Sequence, residues 1–132
     1  MVPIPPEFLD LFKGNAMAHL ATIMPDGSPQ VTPVWVELAP DGYLLMNSAK
    51  GRIKDRNMRA RPQVALELSD PKDPYRYIAI RGQVVEMKEE GAVEDNHRLS
   101  RLYLGVDFPY PTEGQTRVTY RVEPLNIHVR TD

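Results

Sequence analysis

Six basic side chains, Lys50, Arg52, Lys54, Arg56, Arg59 and Arg61, fall within residues 49–62, and the same stretch holds one acid, Asp55. Guanidinium and ammonium groups at this density are suited to oxyanions, phosphate above all. The stretch carries +5 in a chain of net charge −2, which leaves −7 elsewhere. It is a positive patch on an acidic body.

The spacing predicts a helix over 49–60, with Ser48 as its cap and Pro62 limiting its extension. Ile53, Asn57 and Ala60 then share the inward stripe. Lys50 and Lys54 occupy one flank, and Arg52, Arg56 and Arg59 the other. A buried asparagine needs partners, so Asn57 is expected to tie the helix to a neighbouring loop. Backbone N–H groups at a helix start, beside such cations, suit a phosphate. Three readings fit these residues: a solvated basic face, a nucleic-acid patch, or a site for an anionic cofactor. The acidic balance and the lack of interleaved aromatics weaken the second.

Other familiar chemistry is missing. No glycine-rich phosphate loop of standard spacing occurs. His19, His97 and His128 are not at metal-ligand spacing, so no metal is expected. Ser28, Ser48, Ser69 and Ser100 sit in no nucleophile elbow. Glu89-Glu90 reads as the acidic start of a helix rather than an acid/base pair. No catalytic side chain is named by the sequence. An enzyme built from these residues needs a bound cofactor for its reactivity.

The elements that position this patch read as mainly β. A short helix over 5–14 is followed by strands at 18–24, 30–38 and 43–47, joined by two Pro-Asp-Gly turns as an antiparallel meander. Pro33 within the middle strand marks an edge, a bulge, or a place where a ligand meets the backbone. Further strands are expected at 63–69, 75–87, 117–122 and 126–130, with Gly82 as a kink, and a helix over 89–104 ended by Gly105. The loop 106–114, with Phe108 and Tyr110, is either a lid or an ordinary surface loop. A small antiparallel barrel with flanking helices accommodates this pattern, because closure removes edges.

The 132 residues amount to one domain, with 42% hydrophobic and 26% charged residues. Zero cysteines exclude disulfides and iron–sulfur clusters. No apolar run reaches membrane-span length, and residues 1–7 do not resemble a secretory signal. Neither a membrane nor a nucleic acid is expected as partner, and the cytoplasm is the expected compartment.

Four segments in order resemble one family. They are the run Leu20 to Val36, with its Pro25-Asp26-Gly27 turn and Pro33-Val34-Trp35 end; the run Asn47 to Arg59; Asp73 to Ile78 with Arg81-Gly82; and Tyr103 to Asp107. Together they resemble the pyridoxamine-phosphate-oxidase-like split β-barrel oxidoreductases, in the branch that uses the deazaflavin coenzyme F420. The departures are Lys50, where a neutral residue or arginine is expected, and Asp55, a negative charge within the phosphate segment.

The resemblance implies a six-stranded, FMN-binding-like split barrel and a homodimer with the cofactor in a groove at the subunit interface. By that likeness Arg52 and Lys54 grip the cofactor phosphate, with Lys50 and Arg56 nearby and Ser48 and Asn57 supporting the loop, and Asn47 belongs to the same cofactor-binding set. Pro33, Val34 and Trp35, with Ala21 and Thr22, lie along the ring. Tyr77, with Tyr75, comes from the partner subunit or lines the substrate side. The implied reaction is hydride transfer from reduced deazaflavin to an electron-poor double bond of a small-molecule acceptor: an enone, a quinone or a tetrapyrrole. The alternatives are an FMN-dependent oxidase or reductase of the same fold, or a cofactor-binding protein without turnover. Coenzyme F420 carries a phosphodiester and an anionic glutamate tail, whereas FMN ends in one phosphate. Six cations spread over this segment favour the longer molecule.

Overall fold

The computed structural model describes residues 1–131. After a 3-10 helix, Pro6–Phe12, the chain enters β1 (Ala18–Ile23), which pairs with β2 (Pro29–Val34). The first Pro-Asp-Gly turn closes this hairpin. Gly27 adopts φ +88° and Asp26 accepts hydrogen bonds from the backbone N–H and hydroxyl of Ser28.

The expected three-strand meander does not form. The strand expected over 30–38 breaks at Trp35 and Val36 into β2 and a two-residue β3 (Glu37–Leu38), and β3 pairs only with β4 (Leu44–Ala49). The break has a local cause. The Val36 N–H donates to the Tyr103 hydroxyl at 3.2 Å, and that hydroxyl lies 3.3 Å from the Val36 carbonyl oxygen. Val36 is buried, and a helix side chain satisfies its backbone where a ladder would.

This break governs the topology. With β5 (Gln63–Asp70), β6 (Asp73–Lys88) and β7 (Arg117–Arg130), the sheet order is β2-β1-β5-β6-β7-β4-β3, with antiparallel pairing throughout. Its two terminal strands are the two halves of one continuous segment. A sheet whose ends are joined by two residues has to curl back on itself, and the result is the expected split barrel. The count is seven strands rather than six, because β3 is separate. Pro33 lies on edge strand β2, where its missing N–H costs no ladder bond.

β5 (Gln63–Asp70) buries Val64, Leu66 and Leu68, as its alternation predicts. β6 (Asp73–Lys88) and β7 (Arg117–Arg130) are long and bulged. The two expected C-terminal strands are therefore one, running through Pro124. Pro124 sits opposite Gly82 at a register shift. A Cβ on Gly82 would lie 2.3 Å from the Glu123 carbonyl oxygen, so only glycine permits this approach. Inside the curl, Leu20, Leu44, Met46, Leu66, Leu68, Ile78, Ile80 and Val122 form the core, closed at one end by Phe8 and Leu11 of the 3-10 helix.

Two helices fill the remaining positions. α1 (Ile53–Ala60) starts four residues later than expected, and α2 (Ala92–Leu104) three residues later. Ser48 does not cap α1, because its backbone is committed to β4 opposite Val118. The N-cap is Arg52, and it makes no side-chain cap bond. The buried residues of α1 are Asp55, Asn57 and Met58; Ile53 and Ala60 are exposed, contrary to the expected stripe. Among the described residues no helix is long and apolar enough to cross a membrane.

Candidate cofactor site

Where the two ends of the sheet approach each other they leave a cleft of about 430 Å³. One wall is the crossing segment Pro33, Val34 and Trp35. The facing wall is Asn47 and Ser48 from β4, with Arg52 and Lys54 from the start of α1. Arg117, at the start of β7, and Asn96 of α2 form the floor, while Phe108, Tyr110 and Pro111 of the loop 105–116 form the rim.

The cleft is electropositive. Burial, then the charges of Arg52 and Arg117, push the Lys54 ammonium below its ordinary value. Burial and Arg52 do the same to Arg117. These are signs of cations crowded together in a desolvated place. Among the described residues none of the three makes an ion pair. Their neighbours find carboxylates instead: Lys50 pairs with Glu89 at 3.1 Å and Arg59 with Asp55 at 3.0 Å.

One polar atom in the wall is unsatisfied. Ser48 is 3% exposed, and its Oγ has no hydrogen-bond partner. A buried hydroxyl left bare costs free energy, which a ligand in the cleft removes. The Trp35 indole stacks on Tyr103 at 5.6 Å and meets the edge of Phe108 at 6.0 Å. It gives the cleft a rigid aromatic wall. Phe108 is held in turn by its N–H, which donates to His97 Nδ1 at 3.0 Å.

Asp55 does not neutralise the cleft. Burial pushes its carboxyl up, but Arg59, the Gly51 N–H and the Tyr120 hydroxyl outweigh that, and the net shift is downward. The Gly51 N–H donates at 2.9 Å and the Tyr120 O–H at 2.5 Å. Gly51 has φ +91°, a left-handed turn that glycine adopts freely. Asp55 thus clamps the turn that presents Arg52.

The remaining expected site residues lie elsewhere in the chain. Asn57 is buried under α1. Its Nδ2 donates to Thr22 Oγ1 at 3.0 Å and its Oδ1 accepts from Arg61, which fastens α1 to β1. Thr22 is therefore a buried anchor. Ala21 faces the opposite side of β1, in a depression with Ala65, Arg81 and Asn126. Tyr77 is on β6, with its ring 6.0 Å from that of His128. Lys50 is exposed and paired with Glu89. Within one chain, then, the cleft gathers Pro33, Val34, Trp35, Asn47, Ser48, Arg52 and Lys54, and not Ala21, Thr22, Lys50, Asn57 or Tyr77.

The pyridoxamine 5'-phosphate oxidase family matches residues 4–130, nearly the whole chain. The chain belongs to that family. A solved F420 reductase is 31% identical with a TM-score of 0.84, covering 95% of this chain and 98% of its own. A conserved hypothetical protein from Mycobacterium tuberculosis is 24% identical (TM-score 0.75; 98% of this chain, 86% of that one). HupZ of group A Streptococcus is 21% identical (TM-score 0.68; 96% and 93%). The last two share the fold.

Membership of the pyridoxamine 5'-phosphate oxidase family implies redox chemistry on a flavin-type cofactor. The cleft fits such a group: an orphaned buried hydroxyl, a flat aromatic wall and unneutralised cations lie in one groove. Sequence reasoning missed Arg117, Asn96 and Gln115. Arg117 stands 56 residues beyond the basic segment's last arginine and looks like any polar strand start. Only the pairing of β7 with β4, Arg117 opposite Ala49, carries it to the cleft.

Proposed function

We propose that this protein is an F420-dependent oxidoreductase that reduces an electron-poor double bond in a small molecule. The observation that carries the reading is the cleft in which Arg52 and Lys54, free of carboxylates, flank the unsatisfied Ser48 hydroxyl beside Trp35. Its likeness to an F420 reductase along almost the full length of both chains supports the same cofactor.

When bound, reduced deazaflavin supplies a hydride. Arg52 and Lys54 bind the cofactor phosphate, and the Gly51 turn, pinned by Asp55, keeps Arg52 in place. Ser48 Oγ hydrogen-bonds the ligand. Pro33, Val34 and Trp35 would hold its ring, and Phe108 and Tyr110 of the rim would limit the access of water to the cleft. The accompanying proton would have to come from a group other than Tyr103. The Tyr103 hydroxyl is already committed to the Ala16 carbonyl at 2.9 Å and to Val36.

We further place the chain in a homodimer with the cleft at the subunit boundary, so that Ala21 and Tyr77 of a second copy complete the site. An FMN-dependent oxidase or reductase is the second reading, favoured by the family match itself.

The test is single turnover. Protein loaded with reduced F420 is mixed with a panel of enones and quinones, and deazaflavin reoxidation is followed. Acceptor-dependent reoxidation faster than in protein-free controls supports the reading. Reoxidation at the protein-free rate for every acceptor removes it.

A further inference from the structure

Arg117 is 8% exposed and its guanidinium is held by three neutral oxygens. Nε donates to Asn47 Oδ1 at 2.9 Å, one terminal nitrogen to Gln115 Oε1 at 3.0 Å and the other to Asn96 Oδ1 at 3.3 Å. None of these carries charge. The ring of Phe108 lies 5.5 Å from the guanidinium carbon. The carboxylate of Asp95, one residue from Asn96, is taken by Arg98 and Thr119.

Such a group is held in place without being neutralised. A guanidinium has five N–H donors, and three are used, so one remains on each terminal nitrogen. Asn47 is equally committed: its Nδ2 donates to the Ala92 carbonyl at 2.8 Å, which fixes the amide so that Oδ1 must face Arg117. The cage spans β4, α2 and the end of the rim loop, so it holds one cation at the floor of the cleft. A buried cation without a counter-ion is costly unless an anion arrives.

We propose that Arg117 is a dedicated oxyanion receptor of the cleft, a third binding arm beyond Arg52 and Lys54 that takes a phosphate or carboxylate oxygen of the ligand. The proposal deepens the reading of this cleft as the cofactor site and rests on it for its biological meaning. Asn47, Asn96 and Gln115 are positioning residues that act through Arg117. The shared chemistry is a planar bidentate contact, which lysine cannot reproduce. The downward pull of Arg52 on Arg117 is the repulsion that such an anion relieves.

The experiment uses the whole protein and two probes. Pyrophosphate is titrated by calorimetry at low salt into wild type, Arg117→Gln and Arg117→Lys, with melting curves to establish that each variant is folded. Oxidised F420 and a deazaflavin without the phosphate are titrated in parallel. Pyrophosphate is expected to bind wild type and to lose at least tenfold in affinity in both variants. If the F420 phosphate end is the source of the oxyanion, the loss recurs with F420 and vanishes with the phosphate-free deazaflavin. If an acceptor carboxylate is the source, F420 binding is unchanged and carboxylate-bearing acceptors lose affinity for the loaded protein.

Folded variants that bind pyrophosphate as wild type does, or a wild type that does not bind it, overturn the proposal. Should both variants fail to fold, Gln115→Ala, which touches the cage only at its loop end, replaces them, and unchanged pyrophosphate affinity there overturns it equally. Arg117-dependent pyrophosphate binding without binding of F420 would leave the receptor standing and remove the F420 reading. F420 binding that ignores Arg117, with pyrophosphate binding that also ignores it, would do the reverse.

Discussion

The Tyr120 hydroxyl donates to the buried carboxylate of Asp55 across 2.5 Å, joining the last strand to the start of the basic helix. Burial and that carboxylate push the Tyr120 phenol up, so it stays protonated and remains a donor. The other Asp55 oxygen holds Gly51 and Arg59. One side chain thus converts a cluster of like charges into a fixed presentation of Arg52.

Replacing Asp55 with asparagine should cost about 1–3 kcal/mol, since the side chain keeps its shape but loses charge-assisted bonds. Urea unfolding measures this. Because the folded-state pKa is lowered below 3.8, the contribution is complete above the ordinary carboxylate range and is lost as pH falls through the folded value. The gap between wild type and Asp55→Asn should therefore be constant near neutrality and narrow below about pH 4. A gap that widens with acid would contradict this.

Lys54 predicts a pH effect of opposite origin. Its ammonium is weakened by burial and by Arg52 and Arg117, so it releases its proton below the ordinary lysine value of 10.5. An anion in the cleft favours the charged form. Anion affinity should fall as alkaline pH deprotonates Lys54, and binding there should take up protons, read from calorimetry in buffers of different ionisation enthalpy. Lys54→Met should abolish the proton uptake.

Tyr103→Phe removes the hydroxyl that satisfies Val36 and leaves a buried N–H bare. A loss of about 1–3 kcal/mol is expected. The Trp35 wall should loosen with it, since the two rings stack at 5.6 Å. Trp35 fluorescence and urea unfolding report both effects. Tryptophan emission and stability unchanged from wild type would separate the crossing from its helix contact.

Gly82→Ala should be more damaging than an ordinary strand substitution. Its Cβ would sit 2.3 Å from a backbone oxygen of Glu123, so β6 and β7 must part at their bulge. The expected cost is about 2 kcal/mol or more. A melting temperature equal to wild type would show that the bulge yields freely.

Much of this was legible from residue types. The Pro-Asp-Gly turn at 25–27, the alternation of Val64, Leu66 and Leu68, and the glycine end of α2 are local signals, and each element forms where its signal lies. The break at Trp35–Val36 was not legible, because its cause is a hydroxyl 67 residues away. The same holds for the anchoring of Asn57 on Thr22 and for Arg117. Helical spacing placed Ile53 on the buried stripe, but the buried carboxylate of Asp55 sets the rotation of α1 and leaves Ile53 exposed. Local chemistry marked the basic segment 49–62, and the family resemblance singled out Arg52 and Lys54 within it; only strand pairing shows which other residues share their cleft.

The most direct test of the central claim is a binding titration of oxidised F420 and FMN, in parallel and at two salt concentrations, against wild type and Arg52→Ala/Lys54→Ala. The account predicts tighter, salt-weakened binding of F420 to wild type and a loss of at least tenfold in the double variant. Preference for FMN, or F420 affinity untouched by the double substitution, would contradict it.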